Sequence, residues 1–324
     1  MNLRKAAMAL AMGAVVALTA TACSGSSEEE AKSTEGGLIS VITPPLDNPF
    51  WSTEAQTVKD AAEEKGYTAK ISSHDYDPKK ESDLIDTAIS NDSVAIVLDP
   101  AGADSSIGNV QKAEDAGIPV FLVNAEINEA GIAKSQLVSN NAQGAVLAAQ
   151  QFVKAMGGEG KYVELVGEST DSNSVVRSEG FKSVLEQYPD LELVQQETAD
   201  WDQNKGFEKT QVMLQAHPDI KGIISGNDQM ALGAIAALKQ AKKLDDVVVG
   251  GFDGSPEAIQ AVVDGELAYT VLQPVVDFSK AVVDQIDSYL TTGETGVDSE
   301  KQAFDCTLIT EENADQVTEF SLEG

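Results

Sequence analysis

The chain is predicted to be an α/β protein with two lobes, each built on a doubly wound parallel sheet. Short apolar runs rich in β-branched residues alternate with longer helix-like segments, a pattern typical of parallel sheets. The alternation restarts after residue 140, so two similar halves are expected, with a cleft between them. Hydrophobic residues make up 42% of the 324-residue chain, which supports a sizeable core in each half.

The first half is predicted to alternate from strand to helix, beginning with the apolar run 38–42. Gly66 and Gly117 end the first and third helices, as glycine commonly does. The predicted strands are 38–42, 69–71, 94–98 and 120–123, and the predicted helices are 52–65, 79–90 and 105–116.

The second half repeats this order and begins with a helix that the glycines at 157 and 158 end. Its predicted helices are 144–156, 175–188, 204–215 and 229–240, and its predicted strands are 162–166, 192–196, 222–225 and 247–250.

The N-terminus is predicted to be a secretory signal. Arg4 and Lys5 precede an apolar run at 6–20, and small residues then lead to Cys23. The run is shorter than the roughly 20 apolar residues that span a bilayer. We expect a signal peptide at 1–22 and lipidation at Cys23, although Ala20 stands where bacterial lipoprotein signals most often have leucine. Residues 23–37 are predicted to be a flexible linker.

Composition excludes several classes of function. The formal net charge of −31 argues against nucleic acid and anionic lipid headgroups as partners. Cys306 is the only cysteine after Cys23, so no intrachain disulfide is expected in the mature chain and Cys306 is predicted to be a small core residue. His74 and His217 lack metal-ligand spacing and are expected at the surface or at helix ends. We expect no metal and no cofactor.

Enzyme motifs are missing from the sequence. It contains no nucleophile elbow, no phosphate-binding loop and no Cys-x-x-Cys pair, so the chain is predicted not to be an enzyme.

Polar and aromatic residues cluster just after the predicted strands, where open α/β sheets bind ligands. After Arg4, Arg177 is the only arginine, and its guanidinium suits paired contacts to neighbouring oxygens. The only tryptophans, Trp51 and Trp201, offer flat faces suited to sugar rings. The candidate ligand-binding residues are Asn48, Phe50, Trp51, Asn124, Glu126, Asn141, Arg177, Trp201, Asn227, Asp253 and Gln273.

Several candidates also have a structural alternative. A tryptophan can fill a core, Arg177 can form a surface ion pair, and Asp253 can cap a turn. Asn227 and Asp228 can both cap a helix, and of the two Asn227 is expected to contact ligand and Asp228 to be structural. Asn141 lies at the expected lobe junction, where hinge bonding is an equal alternative.

The chain resembles the periplasmic ribose-binding protein family, the pentose and hexose branch of ABC-transporter binding proteins. The resemblance covers most of 38–309 and rests on short stretches in a shared order. These are Asn48-Pro49-Phe50-Trp51, Arg177-Ser178-Glu179-Gly180-Phe181, Ala216-His217-Pro218-Asp219, Asn227-Asp228-Gln229-Met230-Ala231-Leu232-Gly233-Ala234 and Gly251-Phe252-Asp253-Gly254.

The resemblance implies a role for most of the candidates. Phe50 and Trp51 would stack on one side of a sugar and Trp201 on the other. Asp253 would accept two hydroxyl protons, and Arg177 would donate to ring or hydroxyl oxygens. The side-chain amides of Asn48, Asn227 and Gln273 would bind further hydroxyls.

One departure from the family bears on the ligand. The ribose branch has an Asp-Arg pair after the strand that here ends at Val123, and this chain has Asn124-Ala125. Glu126 is the candidate substitute for the missing acid. We therefore expect a ligand other than ribose, such as another small sugar or an acyclic polyol.

The resemblance also implies a type I periplasmic-binding-protein fold whose lobes are joined by a three-segment hinge. Crossings are expected near 139–140, 273–274 and 305–306. The N-terminal lobe would then be 38–139 plus 274–305, and the C-terminal lobe 140–273 plus 306–324.

The implied function is a lipid-anchored, monomeric, extracytoplasmic solute-binding protein, held at the outer face of a bacterial cell membrane, whose partners are an ABC permease and its ATPase. One alternative is a sugar sensor that presents its ligand to a membrane receptor. Another is an extracellular sugar-processing enzyme, which would turn its ligand over. A sugar-responsive repressor is excluded by the signal peptide and by the lack of a basic DNA-binding segment.

Overall fold

The computed structural model describes residues 36–322, so the signal peptide and Cys23 lie outside the described part of the chain. The strands are β1 (Leu38–Thr43), β2 (Thr68–Ser73), β3 (Ala95–Leu98), β4 (Val120–Val123), β5 (Ser135–Ser139), β6 (Gly160–Val166), β7 (Leu191–Thr198), β8 (Gly222–Ser225), β9 (Val248–Gly250), β10 (Thr270–Leu272), β11 (Lys301–Phe304), β12 (Thr307–Ile309), β13 (Val317–Thr318) and β14 (Ser321–Leu322). The helices are α1 (Pro49–Glu64), α2 (Pro78–Ser90), α3 (Ile107–Asp115), α4 (Asn141–Met156), α5 (Ser172–Leu185), α6 (Gln203–Ala216), α7 (Asp228–Ala241), α8 (Pro256–Val263) and α9 (Val275–Thr292).

Three helices, α1, α4 and α5, begin three residues earlier than predicted, because a polar residue caps each of them before its first apolar residues. Helix α1 begins at Pro49, where the Oδ1 of Asn48 accepts from the backbone N–H of Phe50 at 3.0 Å. Helix α5 begins at Ser172, where Asp171 accepts from the backbone N–H of Asn173 at 2.8 Å. The early starts place binding candidates in the first turns of these helices.

The first sheet has six parallel strands in the order β11-β5-β4-β3-β1-β2. Every residue of β3 and β4 is buried, as expected for a parallel sheet with helices on both faces. Helix α9 packs against α1, β4 and β5, so it belongs to this first lobe.

The second sheet has four parallel strands in the order β7-β6-β8-β9. Single bridges from Gly250 to Tyr269 and from Asp253 to Leu272 attach β10 beside β9, and β12 then pairs antiparallel with β10. The two parallel sheets flanked by helices confirm the predicted α/β class.

The chain passes between the lobes from β5 to α4, from β10 to α9 and from β11 to β12. The C-terminal segment departs from the expectation that 306–324 lies wholly in the second lobe. The ring of Phe320 lies 5.9 Å from that of Phe50 in α1, so the segment after β12 ends against the first lobe. Within residues 36–322, no helix is both long and apolar enough to cross a membrane.

Candidate ligand-binding cleft

A small cavity lies between the two lobes. It collects residues from loops and helix starts that follow the carboxyl ends of both sheets, as expected for this class of fold. All of its lining residues except Asp171 and Asn173 are among the candidates chosen from sequence. The lining residues are Asn48, Phe50, Trp51, Asn124, Asp171, Asn173, Arg177, Trp201, Asn227, Asp253 and Gln273.

Arg177 is held in one position by contacts on several sides. Its side chain is 4% exposed, so the surface ion-pair alternative does not apply. Its Nε donates to the Oδ1 of Asn141 at 2.7 Å, and its Nη1 donates to the carbonyl oxygen of Gly226 at 2.8 Å and to the Oδ1 of Asp253 at 3.3 Å. The guanidinium also lies 4.0 Å from the ring centroid of Phe252.

Asp253 combines a strained backbone with a buried carboxylate. Its φ of +133° is rare for a residue with a side chain, and the bridge to Leu272 holds it. The Nε2 of Gln273 donates to its Oδ1 at 2.7 Å. Burial raises the pKa of Asp253 to about 8, against the opposing effect of the Arg177 charge. A ligand hydroxyl that donates to this carboxylate would therefore favour its ionised form.

Two buried amide oxygens at the cavity lack hydrogen-bond donors among the described residues. Asn124 donates from Nδ2 to the Oδ2 of Asp99 at 2.9 Å, and its own Oδ1 has no partner. The Oε1 of Gln273 is likewise unpartnered. A buried acceptor left without a donor costs about 1–3 kcal/mol, so a ligand that brings hydroxyl donors would recover that free energy.

Three aromatic rings form the apolar part of the lining. Phe50 and Trp51 come from the first turn of α1, and Trp201 comes from the loop before α6. The loop at Asp200 and Trp201 has positive φ angles of 49° and 62°, which is strained backbone at a binding site. Trp201 packs so closely on Gly167 that a Cβ there would lie 2.1 Å from its ring. Glycine is therefore required at 167 to admit this ring.

Two candidates do not line the cavity. Asn141 lies behind Arg177 and links it to Asn173, donating from Nδ2 to the Oδ1 of Asn173 at 2.9 Å. Glu126 lies apart from the group, because its Oε1 accepts from the Nζ of Lys301 at 2.6 Å. Glu126 is half-buried and paired outside the cavity, in contrast to the expectation that it substitutes for the missing acid.

The asparagines that cap helices also line the cavity. Asn48 caps α1, and Asn227 caps α7 by accepting from the backbone N–H of Met230 at 2.9 Å. Asp228 is structural, as expected: its oxygens accept from the backbone N–H of Ser255 and the hydroxyl of Thr270, both at 2.7 Å.

The sequence-based placement of His74 is wrong. Its side chain is fully buried, and its Nε2 lies 2.7 Å from the carbonyl oxygen of Asp99 while its Nδ1 accepts from the backbone N–H of Tyr76. Burial lowers the pKa of His74, which favours the neutral ring in this position. The two hydrogen bonds satisfy both ring nitrogens, which makes burial possible. Cys306, by contrast, is buried as predicted.

Sequence reasoning missed Asp171 and Asn173. Both follow β6, at the same sheet edge as the other candidates, and that position was the available signal. The predicted helix begins at Val175, whereas α5 begins at Ser172, so the predicted helix leaves out these polar residues. Asn173 contacts the opposite lobe by donating from Nδ2 to the carbonyl oxygen of Asn124 at 3.2 Å.

The lobes also touch directly beside the cavity. The backbone N–H of Ala103 donates to the carbonyl oxygen of Thr170 at 3.0 Å, and the Thr170 hydroxyl donates to the carbonyl oxygen of Ala101 at 3.2 Å. Between these contacts, a Cβ on Gly102 would lie 3.1 Å from the Cβ of Thr170 across the cleft, and 2.7 Å from the Oγ of Ser105 in its own lobe. The cleft in this structure is thus closed, and the absence of a side chain at 102 permits the close approach.

Comparison with known proteins agrees with this architecture. A family model described as a periplasmic binding protein domain matches residues 39–295. The chain is 50% identical over 289 residues to a D-apiose import binding protein of Actinobacillus succinogenes, covering 89% of this chain and 93% of the relative. It is 32% identical over 273 residues to the ribose import binding protein of Escherichia coli, covering 84% of this chain and 88% of that protein.

A solved structure shows the same fold. The solute-binding protein of an ABC transporter from Bacillus halodurans C-125, with bound myo-inositol, superposes with a TM-score of 0.80 at 28% identity. The match covers 87% of this chain and 97% of the other. Since the family model matches 39–295, most of the described residues, the chain belongs to the periplasmic binding protein family.

Proposed function

We propose that the protein is the sugar-binding component of an ABC importer, and that its ligand is apiose or a similarly small, branched sugar. The observation that carries the proposal is the combination, in one cavity between the lobes, of tryptophan rings with a fixed Arg177–Asp253 pair. Aromatic faces suit the apolar faces of a sugar ring, and the ion pair with its neighbouring amides suits adjacent hydroxyls.

The geometry favours binding over catalysis. Arg177 and Asp253 are paired with each other and with neutral amides, an arrangement that holds hydroxyls in place. Binding also agrees with the family, whose relatives carry the names of import proteins. The cavity is small, which favours a single sugar unit over an oligosaccharide.

Two observations support apiose over ribose as the ligand. They are the likeness to apiose import proteins and the residues at one end of the cavity. Asn124 offers a neutral amide, with the buried Asp99 behind it, where the ribose branch has an Asp-Arg pair. Ala125 is small and adds no polar group. A branched sugar places its hydroxymethyl group where a linear pentose has none, so an altered cavity end is expected to select between the two.

A thermal-shift screen tests the proposed ligand class. The panel would contain apiose, ribose, other pentoses, hexoses, inositols and acyclic polyols. A ligand at 100 times its Kd stabilises the folded protein by about 2.7 kcal/mol, which gives a readily measured rise in Tm. The proposal expects the largest rise with apiose. No shift with any sugar or polyol would refute it.

The membrane anchor and the transport partners are further parts of the proposal. The sequence before residue 23 supports a lipoprotein signal, with Cys23 as the lipidated residue and residues 23–37 as a tether. We expect the Cys23→Ala protein to leave the membrane fraction and to keep its sugar affinity. Co-purification of the anchored protein with a permease and its ATPase would support a role in import. Co-purification with a sensor kinase would support the alternative role, in which the protein presents sugar to a receptor.

A further inference from the structure

We propose that Phe320 is a positioning residue for the ligand-stacking ring of Phe50, carried by a C-terminal hairpin that ties the two lobes together. This inference rests on the proposed sugar-binding function. Phe50 lines the cavity, and the edge of one ring meets the face of the other at a centroid distance of 5.9 Å. Phe320 is 2% exposed, so its ring is fully engaged in this contact region.

The position of Phe50 is fixed from two directions. Phe278 of α9 lies 6.5 Å from it at an angle of 55°, and Phe278 in turn contacts Phe304 of β11. These two rings belong to the first lobe. Phe320 therefore supplies the one ring contact to Phe50 that arrives from the C-terminal segment.

The hairpin comes from the second lobe. Strand β12 pairs with β10 of the second lobe, and the short helical turn Ala314–Gln316 packs against α8 of the same lobe. Strands β13 and β14 follow directly, and Phe320 lies in the two-residue loop between them. The segment from 309 to 320 thus makes a fourth passage between the lobes, one that ends on a cavity residue.

The hairpin loop that carries Phe320 has a strained backbone. Glu319 and Phe320 have φ angles of +45° and +61°, as a two-residue hairpin turn of this kind demands. Glycine and asparagine normally occupy these positions, and other residues are strained there. Strain of this kind persists only where surrounding contacts fix the conformation, and the buried ring of Phe320 provides such a contact.

The test compares three variants with the native protein. Phe320→Leu and Phe320→Ala remove the ring, and Phe152→Leu is the matched control, because Phe152 is fully buried in α4 and contacts Tyr162 away from the cavity. The Kd for apiose is measured by titration calorimetry, Tm by calorimetry, and hydrogen exchange is followed at residues 48–55. A fourth variant, Glu319→Asn, relieves strain while keeping the ring of Phe320.

Both leucine variants are expected to lower Tm, and only Phe320→Leu is expected to weaken sugar binding, by roughly three- to tenfold. Phe320→Ala should weaken it further, and Glu319→Asn should leave it equal or tighter. Hydrogen exchange at 48–55 should accelerate in the Phe320 variants and not in Phe152→Leu. An unchanged Kd in Phe320→Leu, or an equal loss in Phe152→Leu, would overturn the inference.

The exchange measurement needs no ligand, so it separates this inference from the proposed function. If the native protein binds no sugar, the proposed function fails, and the exchange rates alone still decide whether Phe320 fixes Phe50. Equal rates at 48–55 in all variants would then refute the positioning role.

Discussion

The two lobes contribute to the cleft in different ways. In the second lobe, the polar side chains hold one another: Arg177 bonds to Asn141 and Asp253, and Asp253 bonds to Gln273. In the first lobe, the rings of Phe50 and Trp51 are held by packing and line the cavity beside the amides of Asn48 and Asn124. The second lobe therefore offers a preorganised polar network beside the single ring of Trp201, and the first lobe offers two of the three rings.

This difference predicts where binding energy resides. Preorganised charged groups bind ligand hydroxyls without first having to become ordered, which favours affinity and selectivity. Stacking faces are less selective between sugars, because most sugar rings offer an apolar face. We therefore expect polar substitutions in the second lobe to have larger effects than the removal of aromatic rings.

The largest effect is expected from Asp253→Ala. The change leaves Arg177 buried with its charge partner removed, which typically costs about 2–5 kcal/mol. Sugar affinity, measured by titration calorimetry, should fall at least roughly thirtyfold, and Tm should also fall.

The matched control for Asp253→Ala is Glu126→Ala, which removes the partly exposed ion pair with Lys301. Exposed pairs contribute about 0–1 kcal/mol to stability, and this one lies outside the cavity, so sugar affinity should stay the same. An equal loss of affinity in Glu126→Ala and Asp253→Ala would contradict the claim that the polar network of the second lobe binds the sugar.

Removing an aromatic ring should have the next largest effect. Trp201→Ala and Trp51→Ala each delete a buried face of the cavity, at a cost of about 1.5–3 kcal/mol of sugar binding free energy. Intrinsic fluorescence of the remaining tryptophan should still respond to ligand. If Trp201→Ala keeps native affinity but loses much of its thermal stability, the ring is a core residue and not a stacking face.

Gly102→Ala should weaken sugar binding less than the loss of an aromatic ring does. Residue 102 does not line the cavity, so the effect would act through closure of the cleft. The added methyl group would lie 2.7 Å from the Oγ of Ser105 in the same lobe and 3.1 Å from the Cβ of Thr170 across the closed cleft. The contact with Ser105 should lower Tm, and the contact with Thr170 should oppose closure by about 1 kcal/mol and raise the Kd roughly fivefold. Gly108→Ala in α3 is the control, because a Cβ there meets nothing within 4 Å. Equal Kd values for the two variants would contradict a role for this contact in closing the cleft.

The smallest effect on sugar affinity is expected from Glu54→Gln, which instead changes how stability depends on pH. Glu54 follows Trp51 by one turn in α1, and burial raises its pKa to about 8 from 4.5. A folded-state pKa above the unfolded value gives stability that is present below about pH 4.5 and is lost as pH rises through 8. Glu54→Gln should flatten this decline by up to about 1.4 kcal/mol per pH unit. The free energy of unfolding is measured by urea titration at several pH values. The same decline with pH in the native and Glu54→Gln proteins would contradict the prediction.

The sequence predicted the alternation of strands and helices and most of the cavity lining, because both follow from local patterns. It did not predict Asp171 and Asn173, since their helix begins with polar residues that resemble a loop. It misplaced His74, because burial of an imidazole depends on two backbone partners that the fold brings together.

Long-range contacts explain the remaining differences from the sequence analysis. Glu126 was expected at the cavity, and its partner Lys301 is distant in the chain. The contact between Phe320 and Phe50 joins opposite ends of the described chain, and no local pattern predicts such a pair.

The most direct test is a calorimetric titration of the native protein with apiose and, separately, with ribose. If the second lobe holds hydroxyls and the Asn124 end of the cavity selects a branched sugar, apiose should bind at one site per chain and at least tenfold more tightly than ribose. Ribose binding as tightly as apiose or more tightly would contradict the account of selectivity. The absence of heat with either sugar would contradict its central claim.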